Sequence, residues 1–136
     1  MWWKLKTISY TNYTIGEDAF DAISSICSIY GNKIQIIGGE KAIKATLLEL
    51  ESSLKGTTIQ LLEPLYYGGE CSQKNIDILV NQINNDGETI IAGVGGGKAI
   101  DTAKAVGNLL NLPIITIPTI AATCAATTAL SVAYDA

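Results

Sequence analysis

Gly95-Gly96-Gly97-Lys98 stands between a short apolar run, Thr89 to Ala92, and a segment with helical apolar spacing, Lys98 to Leu110. A glycine turn from strand to helix leaves the first N–H groups of the helix without acceptors and keeps side chains away from any ligand. Those amides attract phosphate. Lys98 adds positive charge at the same point. Asp101, one turn on, can orient Lys98 or bond a ribose or nicotinamide group. Two plainer readings stand beside this one. Glycines also permit tight strand–helix packing, and Asp101 with Lys104 also reads as a solvated pair on a helix face.

The turn matches neither common phosphate fingerprint. A Walker A loop counted back from Gly97-Lys98 would need glycine where Ala92 stands, and a hydroxyl where Ala99 stands. A G-x-G-x-x-G pattern begun at Gly93 or Gly95 places Lys98 or Ile100 third. The chemistry remains that of a pyrophosphate on bare amides.

Alternating elements must position this turn. Lys6 to Tyr13 is β-prone, and Glu17 to Tyr30 carries Phe20, Ile23, Ile26, Cys27 and Tyr30 at helical spacing. Lys33 to Ile37 is a strand followed by Gly38-Gly39. Glu40 to Leu54 is a helix with Ile43, Leu47, Leu50 and Leu54 on one face. Thr58 to Leu62 is a strand and Pro64 to Glu70 a loop. Ser72 caps a helix running to Asn85. Asp86-Gly87 is a turn, Thr89 to Ala92 a strand, and Ile114 to Ile117 a last strand before Pro118. Short continuous apolar strands separated by helices predict an α/β fold. It is a three-layer, Rossmann-like parallel sheet with the glycine turn at a strand's carboxyl end, where such sheets bind ligands. The 136 residues make one domain, 1–136.

Composition narrows the partners. Nine lysines, no arginine and a net charge of −4 argue against a nucleic-acid surface. No apolar run approaches the ~20 residues that span a bilayer. Met1-Trp2-Trp3-Lys4 opens no signal peptide, and the expected location is cytoplasmic. Cys27, Cys71 and Cys124 are odd in number and widely spaced, which fits a reducing compartment. Cys27 reads as a buried helix-face residue. The chain contains no histidine.

Three blocks in order resemble the iron-containing (group III) alcohol dehydrogenases, in the glycerol dehydrogenase and hydroxycarboxylate dehydrogenase branch. They are Gly95-Gly96-Gly97-Lys98 with Asp101 and Lys104, Pro118-Thr119-Ile120-Ala121-Ala122-Thr123-Cys124-Ala125-Ala126, and Thr128-Ala129-Leu130-Ser131-Val132. Tyr13-Thr14-Ile15-Gly16 is similar to the family's opening. The resemblance covers essentially the whole chain, and it is to the amino-terminal half of a two-domain enzyme, which implies that residues 1–136 are its dinucleotide-binding domain. It implies a fragment lacking the helical domain that carries the metal.

The resemblance implies NAD as cofactor, with NADP possible. Gly95, Gly96, Gly97, Lys98 and Asp101 would meet the pyrophosphate and neighbouring groups. Thr119 and Ala122 would flank the nicotinamide, and Thr128, Leu130 and Tyr134 would line the rest of the groove. Glu40, just past a strand, would bond the adenosine ribose and repel a 2′-phosphate; it reads equally as a helix-start carboxylate. Cys124 stands where glycerol dehydrogenases carry an aspartate, a change that suits a 2-oxo acid better than a polyol; it reads equally as a small filler of the loop. The family's divalent metal, zinc or iron, is held by an aspartate and two histidines of the helical domain, so this chain is expected to hold no metal and no catalytic residue.

The implied reaction interconverts a polyol or 2-hydroxy acid and its carbonyl by hydride transfer. The expected partners are that small molecule and further copies of the chain, since a half-enzyme exposes apolar surface. Two other readings are a non-catalytic NAD-binding module and a relative of dehydroquinate synthase.

Overall fold

The computed structural model describes residues 23–119. The elements, in order, are α1 (Ile23–Cys27), β1 (Lys33–Gly38), α2 (Glu40–Leu54), β2 (Gln60–Leu61), β3 (Leu65–Tyr66), α3 (Gln73–Gln82), β4 (Thr89–Gly95), α4 (Gly97–Leu110) and β5 (Ile114–Pro118). The strand expected over Lys6 to Tyr13 lies outside the described residues.

Among the described residues every strand pairing is parallel, and the order is β2-β1-β4-β5. β1 pairs with β4 along its whole length, from Lys33 opposite Thr89 to Gly38 opposite Val94. Its other edge takes β2 at the start, Lys33 opposite Gln60, and β3 at the end, Ile37 opposite Leu65. The break between β2 and β3 falls at Pro64, which has no N–H to give the ladder. Gln35 fills the gap: its buried side-chain amide donates to the Glu63 carbonyl at 2.8 Å. The segment expected as a loop, Pro64 to Glu70, therefore begins with a strand. The strand expected over Thr58 to Leu62 is trimmed to Gln60–Leu61.

Alternation along the strands builds two cores. Ile34 and Ile36 of β1 join Ile90, Ala92 and Val94 of β4 on one face, under Leu50 and Leu54 of α2 and Cys27 of α1. Ile37 and Ile91 point to the other face, with Ile76 and Leu79 of α3 and Ala103 and Val106 of α4. Both faces are covered, which is why the strands read as continuous apolar runs. Burying each such isoleucine stabilises by about 1.5–3 kcal/mol. Cys27 is buried as expected, and burial pushes its thiol up to about 11.

The first helix stops earlier than its apolar spacing suggests. Regular structure ends at Cys27, whose carbonyl accepts from both Tyr30 and Gly31 at 2.9 Å. Tyr30 is thereby 54% exposed rather than on the apolar face. A Cβ on Gly31 would lie 2.3 Å from the Glu88 carbonyl oxygen, so only glycine fits where the chain passes the segment entering β4.

Candidate functional site

The carboxyl ends of β1 and β4 lie side by side, and each runs through glycine into a helix. After β1, Gly38-Gly39 leads to α2; after β4, Gly95-Gly96 leads to α4. The two helices leave on opposite faces of the sheet, α2 over one core and α4 over the other. A crevice opens where neighbouring strands send their helices opposite ways, and open α/β sheets bind ligands there.

Glycine is the N-cap of both helices, Gly39 with φ −79° and ψ 151°, Gly96 with φ −90° and ψ −168°. It supplies no capping side chain. Intrahelical bonding begins only with Ile43 to the Gly39 carbonyl, 2.9 Å, and Ile100 to the Gly96 carbonyl, 3.0 Å. The amides of Glu40, Lys41 and Ala42, and of Gly97, Lys98 and Ala99, precede those bonds and have no acceptor within their own helices. Both sets border a single cleft of about 540 Å³, a size typical of cofactor sites. By contrast α3 starts on Ser72, whose hydroxyl accepts from the Asn75 amide at 3.2 Å, and it does not border the cleft.

The glycines divide their labour. Gly93 serves packing: a Cβ there would lie 2.7 Å from Ala103 Cβ, so α4 can approach β4 only over a bare backbone. Gly95 has φ +140°, and its added Cβ would stand 3.1 Å from Ala99 Cβ and 3.7 Å from both Ala42 Cβ and the Gly39 nitrogen. Here the two helix starts converge. Gly96 and Gly97 line the cleft itself. The packing explanation of the glycines therefore accounts for Gly93 and in part for Gly95, and leaves Gly96 and Gly97 at the cleft. Thr119 closes the far lip, its amide donating to the Gly95 carbonyl at 3.0 Å.

The structure brings Glu40, Gly95, Gly96, Gly97, Lys98 and Thr119 to one cleft. Glu40 is exposed in the first turn of α2. Asp101 is not a lining residue. It is 6% exposed within α4, and Lys104 is 4% exposed, which removes the reading of these two as a solvated surface pair. Ala122, Cys124, Thr128, Leu130 and Tyr134 lie outside the described residues.

Two tyrosines and a glutamate at the site had no sequence signal strong enough to assign them. Tyr66 and Tyr67 line the cleft, with ring centroids 5.5 Å apart in an edge-to-face pair. The Tyr67 hydroxyl donates to the Gly69 carbonyl at 3.1 Å. Burial, and then Tyr66, raise its pKa, while Lys98 pulls the other way. Lys98 Nζ donates to Glu70 Oε1 at 2.6 Å. The second glycine turn, Gly38-Gly39 after an apolar strand, was the available clue to the α2 side of the site.

Among the described residues no group of three or more histidine, cysteine or acidic side chains is placed to hold a metal ion. No helix among them is long and apolar enough to cross a membrane.

The sequence profile described as iron-containing alcohol dehydrogenase matches residues 11–136. Hydroxycarboxylate dehydrogenase A of Escherichia coli is 40% identical over 101 residues, 73% of this chain and 26% of that protein. Glycerol dehydrogenase of Thermotoga maritima is 33% identical over 128 residues, 94% of this chain and 34% of that protein. The crystal structure of glycerol dehydrogenase from Schizosaccharomyces pombe superimposes with a TM-score of 0.77 at 32% identity, covering 90% of this chain and 31% of that one. The chain thus spans about a quarter to a third of the length of these relatives. With its parallel sheet and paired glycine turns, it belongs to the iron-containing alcohol dehydrogenase family.

Proposed function

We propose that the cleft binds the adenosine diphosphate portion of NAD, as the cofactor-binding part of a dehydrogenase acting on a small alcohol. The observation that carries this is the pair of glycine-capped helix starts, α2 and α4, opening on one cleft at the ends of β1 and β4. The positive ends of two helices, each opening through a glycine N-cap that offers no capping side chain, suit a pyrophosphate better than a single anion.

The chain's own groups have distinct tasks in this reading. Gly96 and Gly97 let the backbone approach the diphosphate. Lys98 supplies the neutralising charge. Glu40 accepts hydrogen bonds from the adenosine ribose hydroxyls and repels a 2′-phosphate, which favours NAD over NADP. Thr119 stands at the lip leading toward the nicotinamide. Ala122, Thr128, Leu130 and Tyr134 would extend the groove, and Cys124 would face the substrate. Asp101 is buried in α4 and does not line the cleft. When bound, the dinucleotide supplies hydride acceptor and donor chemistry. The described residues offer no ligand set for a metal, so no metal step is assigned to them.

The relatives named glycerol dehydrogenase and hydroxycarboxylate dehydrogenase support a polyol or a 2-hydroxy acid as substrate of the whole enzyme. Fluorescence titration of the purified chain with NADH and NADPH tests the cofactor assignment. Saturable NADH binding, tighter than NADPH, is expected; a chain that binds neither would refute it.

A further inference from the structure

We infer that Glu70 is a built-in counter-ion that competes with the dinucleotide for Lys98. The inference rests on the pyrophosphate reading of the cleft and adds a means by which its affinity is set. Lys98 lines the cleft at the start of α4. Its ammonium is engaged by Glu70 Oε1 at 2.6 Å, from a loop outside both glycine turns. A carboxylate on that ammonium presents the same chemistry as a phosphate oxygen: an anionic acceptor for a charge-assisted hydrogen bond.

The main chain that carries Glu70 is held in place. The Glu70 backbone is fixed on both sides of its carbonyl, which accepts from the Asn75 side-chain amide at 2.9 Å and from the Ser72 amide at 3.0 Å. Upstream, the loop is tied to the sheet through β3 and to the Gly38 carbonyl through the Tyr67 amide, 3.0 Å. The loop therefore holds the Glu70 main chain within side-chain reach of Lys98. Both side chains are about half exposed, 52% and 55%, so the pair is easily opened by a stronger anion. Binding of a diphosphate is then an exchange in which Lys98 leaves Glu70 for the ligand, and affinity is lower by the strength of the contact given up.

The test is NADH titration by fluorescence on four forms of the chain: wild type, E70Q, K98A and the E70Q/K98A double variant. Glu70 is exposed and its hydrogen bonds to the loop are made by its backbone, so both Glu70 variants keep the fold. E70Q is expected to tighten NADH binding about two- to fivefold, the range for a partly exposed pair. K98A is expected to weaken it, and the double variant to match K98A. Tightening in E70Q that persists undiminished without Lys98 would overturn the exchange, because it would be a general charge effect. So would unchanged or weaker binding in E70Q, the latter marking Glu70 as a support for Lys98. A wild-type chain that binds NADH while E70Q changes nothing removes this inference alone. A wild-type chain that binds no NADH removes the cofactor reading as well.

Discussion

Gly93 and Ala103 meet where α4 crosses β4, and a Cβ on Gly93 would fall 2.7 Å from that of Ala103. Real Cβ atoms do not approach so closely, so any side chain at Gly93 pushes the helix off the strand. Because α4 carries Lys98 and its first-turn amides, this contact sets where the site stands relative to the sheet. G93A is expected to destabilise the fold by about 1–3 kcal/mol, the usual cost of overpacking. Adding A103G should recover part of that, less about 0.5–1 kcal/mol for glycine inside a helix. Urea denaturation midpoints measure both. A G93A chain as stable as wild type would show that the helix has room to shift.

The far end of the sheet makes a pH prediction. Asp86 Oδ2 lies 2.5 Å from Lys33 Nζ, and Asp86 Oδ1 also accepts from the Glu88 amide and the Thr89 hydroxyl. The Lys33 bond, then the Glu88 amide, hold the Asp86 carboxyl at about 2 against an ordinary 3.8. A depressed folded-state pKa means the contribution is complete above the unfolded value and is lost as pH falls through the folded one. The stability difference between wild type and D86N should be flat at neutral pH and shrink between 3.8 and about 2. Lys33 behaves oppositely. Its pKa is raised above 10.5 by the Asp86 bond, so its contribution fades only as pH climbs past that value. A wild type–D86N difference that stays constant down to pH 2 would contradict this assignment.

Glu40 yields a prediction about cofactor choice. It is exposed in the first turn of α2 beside the cleft. Removing its charge should cost NADH its ribose hydrogen bonds and relieve NADPH of repulsion. E40A is expected to raise NADPH affinity relative to NADH by about fivefold, the effect of one charge at about 4 Å in water. An unchanged ratio would leave Glu40 as a carboxylate that merely complements the helix dipole.

The parallel sheet and the glycine turn were legible in the sequence because both arise from local pattern. Ile34, Ile36, Ile90 and Ile91 form runs that only a doubly covered strand tolerates, and three consecutive glycines before a helical stretch have few other uses. Ser72 was legible as a cap for the same reason. What escaped depended on contacts distant in the chain. β3 is two residues long and exists because Ile37 and Gly38 offer it an edge; so short a strand has no period to detect. Tyr30 keeps the helical spacing but is exposed, because regular helix ends at Cys27 and Tyr30 sits in the turn that follows. Glu70 and Lys98 are 28 positions apart, and only the fold of the β3 loop brings them together. The alternative reading of Asp101 and Lys104 as a solvated pair fails because α4 is packed deeply enough to bury both.

Gly96 offers the most direct test of the diphosphate assignment. Its φ of −90° and ψ of −168° suit any L-residue, so a substitution there fills the cleft without straining the backbone. NADH titrated into G96L, with circular dichroism and the urea midpoint confirming a native fold, is expected to bind at least about tenfold more weakly than to wild type, about 1.4 kcal/mol. Wild-type affinity in a folded G96L chain would place the dinucleotide elsewhere and contradict the central claim.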